Sequence, residues 1–414
     1  MIDFERFELP NGLRILVHED TSTPLAAVNL MYDVGSRDEN PEKTGFAHLF
    51  EHLMFGGSAN IPDFDAEIQK VGGENNAFTS NDITNYYCTL PAENIETAFW
   101  LEADRMAALD FSERSLEVQR QVVIEEFRQR YLNQPYGDVW LLLRPQIYTV
   151  HPYGWPTIGK DPEHIRQAAL GDVKSFFYRH YAPNNAVMAV AGNIKIEQIK
   201  QLAEKWFAPI ERRNVPTRSL PQEPKQTKPE TFSVTREVPN DAIYMAFRTG
   251  GLYSHDFYCC DMLSDILSAG KSSRLYRRLL KDKQLFSEIN AYVSGDADPG
   301  LLIVSGKPMP GISLEAADAA IREELTILSS ELLPEREIQK LQNKFEAAFI
   351  FNHTNILNKA MQLCRHELVD RAEDLNWEIE IYRSITAEAL RDHAAKIFDP
   401  NNGTTLYYLS QTDK

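Results

Sequence analysis

The chain has 414 residues, 43% of them hydrophobic, enough for two or three ordinary domains. Lys and Arg number 43 against 60 Asp and Glu, a net charge of −17; with no basic stripe to neutralise phosphates, nucleic-acid binding is disfavoured. No stretch approaches a membrane span, and the opening Met1-Ile2-Asp3-Phe4-Glu5-Arg6-Phe7 has no apolar signal core, so the chain as written reads as cytoplasmic, or periplasmic if a signal peptide has been trimmed. Cys88, Cys259, Cys260 and Cys364 form no C-x-x-C pair and no metal-ligand spacing, and read as core thiols of a reducing compartment.

Residues 13–17 and 26–32 are apolar enough for early strands. A helical apolar run follows, Phe46-Ala47-His48-Leu49-Phe50-Glu51-His52-Leu53-Met54-Phe55, closed by Gly56-Gly57, which suits a helix C-terminus. With Phe46 at zero and about 100° per residue, His48 falls at about 200°, Glu51 at about 140° and His52 at about 240°. The three polar groups share one arc, opposite the face that Phe46, Leu49, Phe50 and Leu53 offer a core. Two imidazoles at i, i+4 with a carboxylate just before the second can hold Zn²⁺ and set a base beside its water. The order H-x-x-E-H inverts the commoner H-E-x-x-H motif.

A catalytic zinc takes three protein ligands, so one more is needed. Residues 93–109 and 112–131 read as helices, and the second offers Glu125 and Glu126. Its apolar face, from Leu116, Val123, Ile124, Phe127 and Tyr131, centres about 110° from Glu126 and about 150° from Glu125, a small preference for Glu126 that leaves both open. The loop His151-Pro152-Tyr153-Gly154-Trp155 reads as packing or wall rather than chemistry.

The chain then repeats itself. His180-Tyr181-Ala182-Pro183-Asn184-Asn185 leads into a strand at 186–192, and Ile397-Phe398-Asp399-Pro400-Asn401-Asn402 leads into another near 406–409, with Pro400 answering to Pro183. In both, a helix stops at proline, Asn-Asn turns and a buried strand follows. Leu53-Met54-Phe55-Gly56-Gly57 matches Ile266-Leu267-Ser268-Ala269-Gly270 at nearly the same offset, which puts Asp261, Ser264 and Asp265 where the first copy has His48, Glu51 and His52. The second copy keeps the helix without the metal set. Gly270-Lys271-Ser272 lacks the earlier glycine of a phosphate loop and reads as the turn ending that helix. The reading is α+β: two homologous α/β sandwich domains, each a mostly antiparallel sheet with helices on one face. The zinc-bearing domain covers 1–211, a proline-bearing linker 212–229, and a homologous domain without metal ligands 230–414.

His48-Leu49-Phe50-Glu51-His52, followed well downstream by Glu126 in Val122-Val123-Ile124-Glu125-Glu126-Phe127, resembles the pitrilysin-type inverted-zincin peptidases, and at this length the mitochondrial processing peptidase and its bacterial homologues. The resemblance spans nearly the whole chain. It implies one Zn²⁺ per chain on His48, His52 and Glu126, with Glu51 as general base. It also implies that Gly72-Gly73-Glu74-Asn75-Asn76-Ala77-Phe78-Thr79 is an edge strand whose Asn76, Ala77 and Phe78 pair with a peptide backbone. An open edge offers the N–H and C=O groups such pairing needs. The implied function is zinc-dependent endopeptidase action on peptides or short unfolded protein segments inside a chamber of two two-domain halves. The alternative is a non-catalytic or partner-dependent peptide-binding subunit of the same family.

Two positions depart from the family pattern. Gln119 stands where relatives often carry a glutamate, and is expected to hydrogen-bond to a histidine ligand without adding charge. Leu280 and Ser287 stand where the family places an Arg and a Tyr that hold the substrate carbonyl, and neither can do that work. The expectation is a hetero-oligomer with a homologous subunit supplying the Arg/Tyr pair, otherwise a homodimer.

Overall fold

The computed structural model describes residues 1–369 and 371–411, which form two units. The first comprises Met1–Leu132, His151–Pro221 and Phe349–Trp377; the second comprises Asn133–Val150, Gln222–Ala348 and the chain from Glu378 on.

The first unit is built on a six-stranded sheet of β1 (Glu5–Glu8), β2 (Arg14–Glu19), β3 (Leu25–Tyr32), β4 (Glu74–Thr79), β5 (Thr84–Pro91) and β6 (Ala186–Gly192), in the order β1-β2-β6-β3-β5-β4. Only β2 and β6 run parallel. β3 and β6 are buried almost throughout, as continuous apolar runs in central strands must be. β4 lies at the edge and alternates exposed with half-buried residues.

The second unit holds β7 (Glu230–Arg236), β8 (Ala242–Arg248), β9 (Phe286–Val293), β10 (Leu301–Pro308) and β11 (Gly403–Ser410), in the order β7-β11-β8-β10-β9. β7 and β11 form its one parallel pair. Set β1 aside and the two sheets match strand for strand. The proline turns match in detail as well. Asn185 donates to His180 O (2.8 Å) and Asp33 O (3.1 Å), while Asn402 donates to Ile397 O (2.9 Å) and Arg248 O (3.0 Å).

Each unit also takes a helix from the other half of the sequence. Helix Ile356–Val369 lies on β3 and β6 in the first unit, packing Ile356, Ala360, Leu363 and Cys364 on Leu16, Ala27, Met31 and Val187. Arg6–Glu367 (2.6 Å) and Lys359–Asp20 (2.6 Å) pin its margins. Helix Val139–Ile147 does the same for the second unit, where Asp138 just before it binds Tyr408 (2.6 Å) and Arg236 (2.9 Å). The α+β class holds, but the first sheet is covered on both faces rather than one. The stretch expected to be a linker is partly tied down: Arg213 donates to Tyr181 O (2.6 Å) and Met106 O (2.9 Å), and Arg218 pairs with Asp33 (3.0 Å) and Asp38 (2.7 Å). No helix among the described residues is long and apolar enough to cross a membrane.

Candidate metal centre and substrate edge

Helix Phe46–Leu53 carries the histidines. It begins at Gly45, whose φ of +91° and Cβ-excluding approach to Ile158 O (2.6 Å) leave room only for glycine. Phe46, Ala47, Leu49, Phe50 and Leu53 are buried, and Phe50 meets Phe176 and Tyr181 at ring centroid distances of 5.3 and 5.0 Å. The opposite face turns His48, Glu51 and His52 to one side.

Helix Glu113–Phe127 is capped by Ser112, which accepts from Ser115 N (3.1 Å), and buries Leu116, Val123, Ile124 and Phe127. Seated that way, it points Glu126 inward with its side chain 18% exposed, and Glu125 outward at 52%. Glu126 Oε2 lies 3.3 Å from His52 Nε2 and 3.6 Å from His48 Nε2, and the three ligand atoms lie within 4.8 Å of one another. A tetrahedral ion with metal–nitrogen and metal–oxygen bonds of about 2.0–2.2 Å sets such atoms about 3.4 Å apart, so the set fits zinc. Burial pushes the His48 imidazole down to about 4, so it is neutral, the form a ligand needs. The hydrogen bond with His52 holds the Glu126 carboxyl below its usual range. Among the described residues, His48 Nδ1 is buried with no hydrogen-bond partner, a costly feature that ordinary cores avoid.

Three neighbours escape the sequence reading. Thr79, the last residue of β4, donates to Glu51 Oε2 at 2.7 Å and ties the sheet edge to the expected base. Burial pushes the Glu51 carboxyl up, and that hydrogen bond opposes it. Arg130, on the π-helical turn Arg128–Leu132, lies 2.9 Å from Glu126 Oε1. Glu39, 6% exposed, accepts from Gly45 N and Ala47 N (both 2.9 Å), securing the start of the histidine helix. Trp155 of the aromatic loop donates to the same carboxylate at 3.1 Å, so that loop is packing. Gln119 lies beside Gly56, its Nε2 3.4 Å from where a Cβ there would stand, and makes no hydrogen bond to a histidine among the described residues.

Asn76 and Phe78 of β4 are exposed and Ala77 is half-buried. The Ala77 N–H donates to Asn76 Oδ1 (2.8 Å), outside the ladder with β5. β9 repeats the device: Ala291 N–H donates to Asn290 Oδ1 at 2.9 Å. In the second copy of the histidine helix, within His255–Ser268, Asp261 accepts from Tyr382 (2.6 Å) and Asp265 pairs with Lys344 (2.5 Å). Structural bonds replace the ligands there. Leu280 is half-buried, and Ser287 is exposed with its hydroxyl on Lys307 O (3.1 Å).

Fold and site together define a duplicated α+β protein with a His₂Glu centre in its first half. Residues 14–159 match the family described as Insulinase (Peptidase family M16), and residues 168–345 the Peptidase M16 inactive domain. The chain is 31% identical to a protein named zinc protease PqqE of Helicobacter pylori, over 84% of this chain and 80% of that one. Its fold superposes on the crystal structure of a protease from Helicobacter pylori with a TM-score of 0.94 at 28% identity, covering 99% and 100% of the two chains. It also superposes on the periplasmic protease PqqL from Escherichia coli with a TM-score of 0.79 at 16% identity, covering 99% of this chain but 48% of that one. The chain belongs to peptidase family M16, the pitrilysin-type family.

Proposed function

We propose that this chain is a zinc-dependent endopeptidase of HxxEH type, acting on peptides or short unfolded protein segments within a chamber of two two-unit halves. The observation that carries the reading is the convergence of His48 Nε2, His52 Nε2 and Glu126 Oε2 beside Glu51 and the end of an open sheet edge. His48, His52 and Glu126 would hold one Zn²⁺. When bound, zinc lowers the pKa of a coordinated water and polarises a carbonyl.

The chain's own residues do the rest. Glu51 takes the water's proton and delivers it to the leaving amine. Thr79 keeps the Glu51 carboxylate oriented, and Arg130 balances the charge of Glu126. Asn76, Ala77 and Phe78 receive an extended peptide as an added strand, which leads its backbone toward Thr79 and Glu51. Gln119 stands beside the turn at Gly56 that follows the histidine helix.

Pairing of two copies or two homologues is supported by the match to about half of PqqL. Leu280 and Ser287 favour a homologous partner that supplies an Arg and a Tyr. That observation also favours the second reading, a subunit whose activity depends on its partner. Hydrolysis of an unstructured fluorogenic peptide by wild type and Glu51→Gln, with zinc content measured on both, tests the proposal. Equal zinc with kcat reduced at least about 100-fold is the expected result for loss of a general base. Undiminished cleavage by the Gln variant would sink it.

A further inference from the structure

The second unit holds another donor cluster outside the centre described above. His255 opens helix His255–Ser268, Cys259 follows one turn later on the same face, and His393 comes from helix Ala387–Ile397. Their ligand atoms lie within 4.8 Å of one another. Cys259 Sγ stands 3.7 Å from His255 Nδ1, and the two imidazole centroids are 5.3 Å apart. A tetrahedral zinc with a Zn–S bond of about 2.3 Å and Zn–N bonds of about 2.0–2.1 Å separates sulfur from nitrogen by about 3.6 Å. The sulfur–nitrogen spacing found here is already close to that value.

Asp256 Oδ1 lies 3.1 Å from His393 Nε2, and its other oxygen accepts the Gly250 N–H, so the ring is held by a carboxylate that is itself fixed. Ligating histidines are commonly oriented in this way. His393 Nδ1 stands 3.3 Å from Ala389 O, a contact that a metal on that nitrogen would replace. Cys259 is fully buried, which closes it to bulky substrates and argues against a thiol nucleophile; His255 is exposed and leaves an ion-sized approach. The H-x-x-x-C spacing sets the buried thiol and the exposed imidazole on one helical face.

We infer that His255, Cys259 and His393 form a second, structural metal site for a thiophilic ion, zinc, that staples the two helices of the second unit. One thiolate with two imidazoles is a donor set that favours zinc over hard cations. The repeat helix that has lost the first copy's ligands thus carries a different set at its opposite end.

The test uses the full chain with the first centre disabled by His48→Ala and His52→Ala, loaded with Zn²⁺ or Co²⁺ and freed of excess metal. The expected result is about one metal per chain, with a thiolate-to-Co²⁺ charge-transfer band that disappears when Cys259→Ser is added. Cys259→Ser alone should take the otherwise native chain from about two zinc ions to about one. If Cys259→Ser fails to fold, His255→Ala, an exposed position, replaces it. Retention below about a tenth of an equivalent, or a band that survives both changes, overturns the inference.

Discussion

Arg105→Met tests how far the first unit depends on one buried ion pair. Arg105 and Glu102 sit one turn apart on helix Ile95–Ala107, 2% and 1% exposed, with Arg105 Nε and Nη2 on the two carboxylate oxygens at 2.7 and 2.5 Å. The guanidinium lies 4.3 Å from the ring centroids of both Phe64 and Tyr86. Tyr86 in turn donates to Phe50 O of the histidine helix (3.3 Å), so the pair underlies the helix that carries His48 and His52. Without the cation, Glu102 is left where burial already pushes its carboxyl up. Breaking such a pair costs about 3–5 kcal/mol, and the lost ring contacts add to that while methionine's packing offsets part. We expect Arg105→Met to lose about 4 kcal/mol in urea unfolding of metal-free protein at neutral pH. Glu102→Leu/Arg105→Met removes both charges and should return to within about 1 kcal/mol of wild type. A single variant losing under about 1 kcal/mol, or a double variant no better than the single, would refute the reasoning.

Ala77→Pro removes a backbone N–H that lies outside the β4–β5 ladder, so the fold should persist while a docked peptide loses one hydrogen bond. The expected drop in kcat/KM is roughly 2- to 10-fold, with zinc content unchanged; an unaltered kcat/KM would remove β4 from the peptide path. Burial pushes His180 down to about 4 and His366 down to about 3, against an ordinary 6.5. Each is neutral in the fold and takes up a proton on unfolding below 6.5, so its contribution is whole above that pH and is lost as pH falls toward the folded values. The unfolding free energy from urea titrations should fall between neutral pH and about pH 5, by up to about 2 kcal/mol per histidine, carrying the midpoint down with it, and His180→Gln should flatten the slope. A midpoint flat over that range would contradict the assignment.

What the sequence makes legible here is what repeats at short range. The arc of His48, Glu51 and His52 is a matter of helical period, and the turns at Pro183 and Pro400 are a matter of local backbone chemistry, so both stand in the fold as the pattern reads. Thr79 and Glu39 reach the centre through tertiary contacts, and no local periodicity marks a threonine 28 residues from its carboxylate. The crossing of helices between units left a trace that goes unread without the fold: Val139 and Ile356 begin their helices at the same separation along the chain as the two prolines. His255 and Cys259 have an i, i+4 spacing, but the third donor, His393, sits on a helix near the far end of the chain, and no local pattern links it to them.

The crossed helices bear on how the chain comes into being. When β6 leaves the ribosome, the first sheet has all its strands, yet the helix that begins at Ile356 has still to be made, after every strand of the second sheet but the last. Until then Leu16, Ala27, Met31 and Val187 face outward as a bare apolar surface, a state in which chaperone capture and misassembly compete with folding. In the finished protein the same arrangement acts as a clasp. A proteolytic nick in the 222–229 stretch would leave two fragments, each holding the other's helix, and they should migrate together until denatured.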